Sequence, residues 1–398
     1  MHSPAAQARS TATGVILTAA ALMAIGLVAI ASASASLDGP VLRPALWRTT
    51  FGRQVVFSIA GLLALLSVSR MGYGSLGWRR GRWLQPAVLV LLVTVACLVA
   101  VLVPGIGVER HGAQRWLHFG PAQYGLGLQP SELAKVGLVV FLAAYLARRE
   151  EGCRDFWGSV LPAALIVGLV AGLVGVEDFG TAALLAAVGG TILLAAGARW
   201  VHLLLLGLPA MAAFAWLLVS KPYRLERLAA FTDIWSDPQG AGYHPIQSLV
   251  TIASGGWVGR GLGMGVQKYG YLPESRTDFI FAVWCEETGV FGALLVILLF
   301  AALLYLGVRA AMAAPDGFGR LLALGVTLTI TFQTAMNIAV VTVSVPTKGI
   351  ALPLVSAGGS GVVFLSGGVG LLAAVALRGR YADAARDGWV PRRAMSGA

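Results

Sequence analysis

An aspartate stands where a long polar segment meets an apolar run, and it is the first candidate for chemistry. The polar segment ends in Tyr271-Leu-Pro-Glu-Ser-Arg-Thr, and Asp278 is followed by Phe-Ile-Phe. Because an ionised side chain is costly beside hydrocarbon, an acid at such a boundary is a functional candidate. Asp278 could act as a general base that takes a proton. Alternatively, Thr277 or Asp278 could cap the following helix by accepting from its first free amide groups.

A carboxylate and an ammonium three residues apart form a second candidate. Glu132 and Lys135 share one face of an apolar helix, and Lys135 lies about one turn inside it. An ammonium at that depth needs a partner or a water-filled cavity. Either the two side chains form a structural ion pair, or Lys135 contacts a substrate.

The elements that position these residues follow from composition. Of 398 residues, 57% are hydrophobic and 12% are charged, against about 25% charged residues in a soluble domain. The chain is therefore an integral membrane protein, and its apolar runs predict ten spans of about 20 residues each. Unbroken helices satisfy their own backbone groups, so the fold class is an all-α, polytopic membrane helix bundle. The spans are predicted near 13–35, 51–69, 84–103, 131–147, 157–176, 180–197, 201–219, 278–308, 318–344 and 359–377.

The arginines predict the orientation of the bundle. They concentrate in segments 70–82, 148–154 and 378–393, which the count of spans places on one side of the membrane. By the positive-inside rule that side is the cytoplasm, and both termini are cytoplasmic in a multi-pass protein of the cell membrane. The net charge of +11 then reflects topology and attraction to anionic membrane lipids, and no nucleic-acid partner is expected. The outward loops are 104–130, 220–277 and 345–358.

We expect one integral membrane domain over residues 1–398, with a large extracytoplasmic loop at 220–277 and a cytoplasmic tail at 379–398. The loop is rich in aromatic residues and glycine, which is typical of a loop folded against the membrane surface. Arg9, an apolar run and Ala31–Ala35 resemble a signal peptide. That run is longer than the usual 7 to 15 residues, so we expect an uncleaved first helix.

Other polar or glycine-rich positions have two interpretations each. Gln333 and Asn337 share a face of the ninth span, where they form interhelical hydrogen bonds or line a lipid channel. Asp178 is either a charge at the start of the sixth span or a contact for metal or substrate. The run Gly259–Gly265 lacks the ending of a nucleotide-binding loop and is expected to fold tightly, and Gly358–Gly361 predicts irregular backbone before the last span.

Several motifs occur in order along nearly the whole chain: Gly112-Ala-Gln-Arg-Trp-Leu117, Gln129-Pro-Ser-Glu-Leu-Ala-Lys135, Tyr243-His-Pro-Ile-Gln-Ser248, Tyr271-Leu-Pro-Glu-Ser-Arg-Thr-Asp-Phe-Ile-Phe281 and Pro346-Thr-Lys-Gly-Ile-Ala-Leu-Pro-Leu-Val-Ser356. Together they resemble the signatures of the SEDS family, named for shape, elongation, division and sporulation. Segments 267–273 and 346–349 look more like the division branch (FtsW, SpoVE) than the rod-elongation branch (RodA), whereas Tyr243-His244 is more like the latter.

The resemblance implies a peptidoglycan glycosyltransferase that polymerises lipid II into β-1,4 glycan strands, beside a class B penicillin-binding protein that crosslinks them. Such a reaction needs one base for the acceptor hydroxyl and cations for the departing pyrophosphate. A glycosidase would instead need two carboxylates about 5 to 9.5 Å apart. Glu286 and Glu287 lie about 12 to 14 Å along the helix from Asp278 and cannot pair with it. Asp278 matches the acid regarded as catalytic in the family.

Cations on the predicted outward side are the candidates for substrate binding, together with two polar neighbours. They are Lys348, Lys135, Arg115, Arg224 and Lys268, with Glu132 and Ser360 beside them. Arg115 could instead belong to an interfacial aromatic belt with Trp116, and Lys348 could bind lipid headgroups. A divalent cation, Mg²⁺ or Mn²⁺, between Asp278 and pyrophosphate is chemically sensible.

Two other classes of function remain open from the sequence. One is a lipid II flippase or related transporter, and the other is a non-enzymatic scaffold of the division machinery. A transporter needs polar residues near the middle of the membrane in both halves. Here they concentrate at the outer boundary of the spans.

Overall fold

The computed structural model describes residues 4–35, 49–78, 85–110, 113–118, 127–149, 153–220 and 230–386, together with Leu225 and Leu228. The described chain is predominantly helical. In chain order its helices are α1 (Pro4–Ala35), α2 (Thr50–Met71), α3 (Pro86–Leu102), α4 (Pro130–Ala147), α5 (Leu161–Gly175), α6 (Phe179–Ala195), α7 (Trp200–Val219), α8 (Tyr243–Gly255), α9 (Ile280–Met312), α10 (Gly317–Val341) and α11 (Ser360–Arg386).

The helices confirm the predicted polytopic bundle. Within the described residues, seven helices are long and apolar enough to cross a membrane, namely α1, α2, α4, α5 with the turn before it, α9, α10 and α11. The shorter apolar helices α3, α6 and α7 complete the ten predicted spans. The bounds of α2, α3, α4, α6, α7 and α10 lie within three residues of the predicted spans, as expected where the thickness of hydrocarbon sets the length of a helix. Helix α1 begins nine residues earlier than its predicted span, and α11 ends nine residues later.

Helix α4 is the centre of the bundle. It is apolar on all sides and buried along almost its whole length, as expected for a helix enclosed by others. It packs against α3, α6, α10 and α11, while α11 also packs against α1 and α2. Gly137 of α4 permits close contact with α3, since a Cβ atom there would collide with Thr94. The residues that begin α4 are consequently held at the middle of one end of the bundle.

Helix α9 is broken, and the prediction of an unbroken eighth span was wrong in this respect. Gly289 adopts φ 66° and ψ −162° inside the helix. The break admits the chain that follows α8: the amide groups of Arg260 and Gly261 donate to the carbonyl oxygens of Glu286 and Glu287, both at 3.0 Å. Glycine is required at the break because a Cβ atom at Gly289 would overlap the backbone of Trp257 and Gly259.

The segments between spans are folded where they are described. Helix α8 lies within the 220–277 segment, and the Ser248 hydroxyl donates to the carbonyl oxygen of Val341 in α10 at 2.6 Å. The 104–130 segment contains a three-stranded antiparallel sheet of β1 (Gly107–Arg110), β2 (Ala113–His118) and β3 (Gly127–Leu128). No strand was predicted there, because strands this short carry too few residues for an alternation of apolar and polar side chains to be recognised.

At each end of the bundle, the contacts join segments that the count of spans places on the same side of the membrane. At one end, Tyr73 after α2 donates to Asp316 before α10 at 2.6 Å, and Arg378 of α11 lies over the Tyr73 ring. At the other end, Arg276 before α9 donates to Thr50 at the start of α2 at 2.9 Å. Helix α11 continues to Arg386, so the first residues of the predicted tail at 379–398 are helical.

Candidate active site

Asp278 lies at the head of α9 and keeps part of its surface open to solvent. The helix begins just after it: Phe279 occupies the N-cap position and contributes no side-chain hydrogen bond. Thr277 turns away from the helix and donates to Glu274 at 2.7 Å. The start of α9 therefore does not use the Thr277 cap that the sequence allowed. A half-buried carboxylate beside an apolar helix is a suitable place for a base that must meet a substrate hydroxyl.

The backbone before α9 is held at three consecutive carbonyl oxygens. The oxygen of Arg276 accepts from the Ala357 amide at 3.0 Å. The oxygen of Thr277 accepts from the Ser356 hydroxyl at 2.6 Å, and that of Asp278 accepts from the Asn337 side chain at 2.8 Å. Asp278 is thus positioned through its main chain by α10 and by the segment before α11.

The 346–351 segment lies directly against the carboxylate. A Cβ atom placed on Gly349 would come within 2.9 Å of Oδ2 of Asp278, so glycine lets this backbone approach the acid. Lys348, the preceding residue, is half-buried, and its Nζ lies 4.4 Å from the centre of the Phe179 ring. The segment therefore places a lysine next to a residue that touches Asp278.

The start of α6 forms the neighbouring wall. Asp178 caps this helix by accepting from the amide and hydroxyl groups of Thr181 at 3.0 and 2.8 Å, which is the helix-start role that the sequence allowed. One residue earlier, the carbonyl oxygen of Glu177 accepts two hydrogen bonds from the Arg115 guanidinium. Arg115 thus contacts the head of α6 at Glu177, and Lys348 contacts it at Phe179.

Lys135 and Glu132 form a buried ion pair behind this wall. Lys135 Nζ lies 2.7 Å from Glu132 Oε1 and 2.7 Å from Gln333 Oε1, and Lys135 is 2% exposed. Gln333 in turn donates to the carbonyl oxygen of Ala351 at 2.8 Å. Of the two interpretations of Lys135, this geometry favours the structural pair. The pair supports the 346–351 segment rather than facing an opening.

Ser360 is also buried, and its hydroxyl accepts from the amide of Gln129 at 3.1 Å. It thereby joins the start of α11 to the residue before α4. Its neighbour Gly361 permits this closeness, because a Cβ atom there would lie 2.9 Å from Glu132 Oε2.

Lys268 lies apart from Asp278. Its Nζ is 2.7 Å from Glu287 Oε1, and both side chains are 1% exposed. Ser32 of α1 donates to the same carboxylate oxygen at 2.6 Å. Glu287 follows Asp278 by nine residues, so about 13 Å of helix separates them. The geometry is that of a structural ion pair, and it does not support the prediction that Lys268 contacts substrate.

His244 is a neighbour of the acid that the sequence did not predict. Its ring lies 6.1 Å from that of Phe279, centre to centre. His244 and Phe279 are 35 positions apart, so only the Tyr243-His244 motif itself could have drawn attention to this neighbour.

Arg224, a predicted substrate-binding residue, falls outside the described residues. Among the described residues no group of three or more His, Cys, Asp or Glu side chains is placed to hold a metal ion.

The sequence is similar to a known family and to curated proteins along most of its length. A family model described as "Cell cycle protein", for FtsW, RodA and SpoVE, matches residues 12–381. Stage V sporulation protein E of Bacillus subtilis is 36% identical over 361 residues, which cover 90% of this chain and 95% of that protein. The probable peptidoglycan glycosyltransferase FtsW of Nitrosococcus halophilus is 40% identical over 379 residues, which cover 92% of each.

Solved structures resemble the fold as well. A chain from "Structural coordination of polymerization and crosslinking by a peptidoglycan synthase complex" gives a TM-score of 0.70 at 31% identity, covering 92% of this chain and 98% of that one. The rod shape determining protein RodA of Thermus thermophilus gives a TM-score of 0.64 at 28% identity, covering 92% and 97%. Because the family model matches residues 12–381 and these curated relatives are 36 to 40% identical over at least 90% of the chain, the chain belongs to the FtsW, RodA and SpoVE family.

Proposed function

We propose that the protein is a peptidoglycan glycosyltransferase that polymerises lipid II into β-1,4 glycan strands at the outer face of the cytoplasmic membrane, during cell division or cell-wall synthesis. Curated relatives at 35 to 40% identity carry the name peptidoglycan glycosyltransferase FtsW. The observation that carries the proposal is the Asp278 carboxylate, half-exposed at the head of α9 and touching the segment that bears Lys348.

The reaction assigns one task to Asp278. Its carboxylate takes the proton of the acceptor sugar 4-hydroxyl, and the oxygen forms a bond to the anomeric carbon of the lipid-linked disaccharide. The bond between that carbon and the pyrophosphate oxygen breaks, and undecaprenyl pyrophosphate leaves with the electron pair. A single displacement inverts the anomeric centre, so an α-linked donor yields a β-1,4 linkage.

The leaving group is a diphosphate, which needs positive charge more than it needs an acid. Lys348 directly precedes Gly349, whose backbone lies against the Asp278 carboxylate, and Arg115 lies at the head of the adjacent α6. We assign these two residues to substrate binding. Lys135 and Glu132 bond to each other, and Ser360 joins the start of α11 to the residue before α4. We assign these three residues to structural support of the site.

A divalent cation, if bound, would enter the site together with the diphosphate. Asp278 would be the protein ligand, and phosphate oxygens would supply the remaining ligands, which suits Mg²⁺ because it retains water and binds phosphates through few carboxylates. Its chemistry there would be to neutralise charge on the leaving group.

We further propose a class B penicillin-binding protein as the partner that crosslinks the strands. The similar chain of known structure comes from work on a peptidoglycan synthase complex in which polymerisation and crosslinking are coordinated. The arginine distribution supports an orientation with both termini in the cytoplasm and Asp278 facing outward.

The proposal is tested with purified protein in lipid vesicles, supplied with lipid II and assayed with and without its transpeptidase partner. We expect glycan strands from the wild type and none above background from Asp278→Asn, which keeps the shape of the side chain but removes the base. Asp237→Asn is the matched control, because Asp237 is an exposed acid of the 220–277 segment that only accepts from nearby backbone amides. Strand formation that survives Asp278→Asn would sink the proposal, and lipid II translocation without strands would support the flippase instead.

A further inference from the structure

Asn337 lies on α10 between the two segments that carry the proposed catalytic and substrate-binding groups. It is fully buried, at 0% exposure. Its Nδ2 group donates to the carbonyl oxygen of Asp278 at 2.8 Å and to that of Ile350 at 2.7 Å. Ile350 is two residues from Lys348. One side-chain amide therefore bridges the head of α9 and the 346–351 segment.

The chemistry of the amide explains why asparagine suits this position. A planar NH₂ group offers two N–H donors in a fixed geometry, whereas a hydroxyl group offers one. Two carbonyl oxygens bound to the same nitrogen are thereby kept at a fixed separation. Oδ1 of Asn337 is buried and has no hydrogen-bond partner. Leaving a buried acceptor unpaired is unfavourable, so the residue is poorly explained by packing and well explained by its two donated bonds.

The neighbouring Gln333 offers a useful contrast. It lies one turn earlier on α10 and donates to Ala351 at 2.8 Å, but its oxygen accepts from Lys135. It thus joins the 346–351 segment to α4. Asn337 joins the same segment to Asp278.

We propose that Asn337 is a positioning residue that sets the separation between the Asp278 carboxylate and the Lys348 ammonium. The inference rests on the proposed function, since it assigns Asn337 a role in that same reaction. Asn337 does not touch the substrate. It acts by holding the two main-chain segments in register, and small errors in such a register can lower a rate by about 100-fold.

The test compares two variants with a control on α8, which is bonded to the same helix α10. Asn337→Leu is close in shape and removes both donors. It leaves the carbonyl oxygens of Asp278 and Ile350 without this partner, so kcat is measured per folded molecule. Asn337→Asp keeps the shape but presents oxygen to both carbonyl groups. The control is Ser248→Ala, which removes a buried 2.6 Å hydrogen bond to the Val341 carbonyl of α10 without any link to Asp278.

We expect kcat per folded molecule to fall about 100-fold in both Asn337 variants, while KM for lipid II changes little. The thermal midpoint is expected to fall as well, because two carbonyl oxygens lose their donor. Ser248→Ala is expected to keep the wild-type kcat whatever its effect on the midpoint. A wild-type kcat in Asn337→Leu, or an equal loss in Ser248→Ala, would overturn the inference.

A second measurement does not depend on turnover. Amide hydrogen exchange of peptides covering residues 276–282 and 345–352 is compared between the wild type and Asn337→Leu in vesicles. We expect faster exchange in both peptides, because the bridge that holds them is gone. Unchanged exchange in both would overturn the inference even if the wild type made no strands. Faster exchange in a protein whose wild type is inactive would support the bridge and reject the proposed function alone.

Discussion

Three acids lie at the start of α9 or within its first turns, and their surroundings differ. Glu286 is fully buried and accepts from the amides of Val266 and Gln267 at 2.9 and 3.3 Å. Glu287 is neutralised by Lys268. Asp278, just before the helix, is the one of these three that keeps solvent exposure, and its carbonyl oxygen is bonded to Asn337 of α10. Its side chain is thus accessible while its backbone is fixed.

The sequence predicted Asp278 as the candidate base. It could not distinguish cations that bind substrate from cations in structural ion pairs. Lys135 has a local partner in Glu132, and the sequence left its role open between an ion pair and substrate contact. Lys268 has no such neighbour on its own helix, because its carboxylate partner Glu287 and its second partner Ser32 are 19 and 236 positions away. Only the packing of helices reveals that both Lys135 and Lys268 belong to buried ion pairs.

The Lys268 pair gives a prediction at this scale. Lys268→Met leaves the Glu287 carboxylate buried without its cation, and removing one partner of a buried pair costs about 3–5 kcal/mol. We expect a lower thermal midpoint and normal kcat per folded molecule. The double variant Lys268→Met with Glu287→Met should recover most of the stability, since no buried charge remains. A double variant as unstable as the single one would show that the pair itself, not the orphaned charge, determines stability.

At the scale of elements, the break in α9 and the turn after α8 fit against each other through glycines on both segments. Gly259 has φ 81°, and a Cβ atom there would overlap the carbonyl group of Glu287. Gly255 is equally close to the carbonyl oxygen of Cys285. The sequence predicted tight folding for the 259–265 run but not the broken helix, because the break depends on hydrogen bonds from a distant segment. Local pattern alone favours a continuous helix through Gly289.

Gly289→Ala tests this arrangement. The new methyl group would meet backbone atoms that cannot yield, and the residue has a positive φ that L-residues rarely adopt. We expect severe destabilisation, measured as loss of the folded protein in detergent. Gly168→Ala is the control, because Gly168 is a helical position on α5 with nothing within 4 Å of the added atom. It should be neutral or stabilising by up to about 1 kcal/mol, and equal damage from both changes would contradict the account.

At the scale of the molecule, hydrophobicity predicted most of the architecture. The runs 51–69 and 318–344 became Thr50–Met71 and Gly317–Val341, because a bilayer imposes the length of a span. The sheet β1–β3 and helix α8 were not predicted, since both lie outside the spans, where this constraint is absent. The orientation rests on arginine counts and so calls for a direct measurement.

A cysteine-accessibility experiment checks the orientation. In a variant with Cys97, Cys153 and Cys285 replaced by alanine, Asp237→Cys is placed in the 220–277 segment and Ala313→Cys between α9 and α10, both at exposed positions. In intact cells we expect a membrane-impermeant maleimide to label Asp237→Cys only. Ala313→Cys should be labelled only after lysis. The reverse pattern would place Asp278 in the cytoplasm and exclude the proposed outer-face reaction.

The main-chain fastening of residues 276–278 bears on how variants of the acid fold. Ala357, Ser356 and Asn337 donate to the carbonyl oxygens of Arg276, Thr277 and Asp278, and a change of the Asp278 side chain leaves these three acceptors in place. We therefore expect Asp278→Asn to be produced and folded like the wild type, so that a loss of strand synthesis reports on the carboxylate and not on a lost fold.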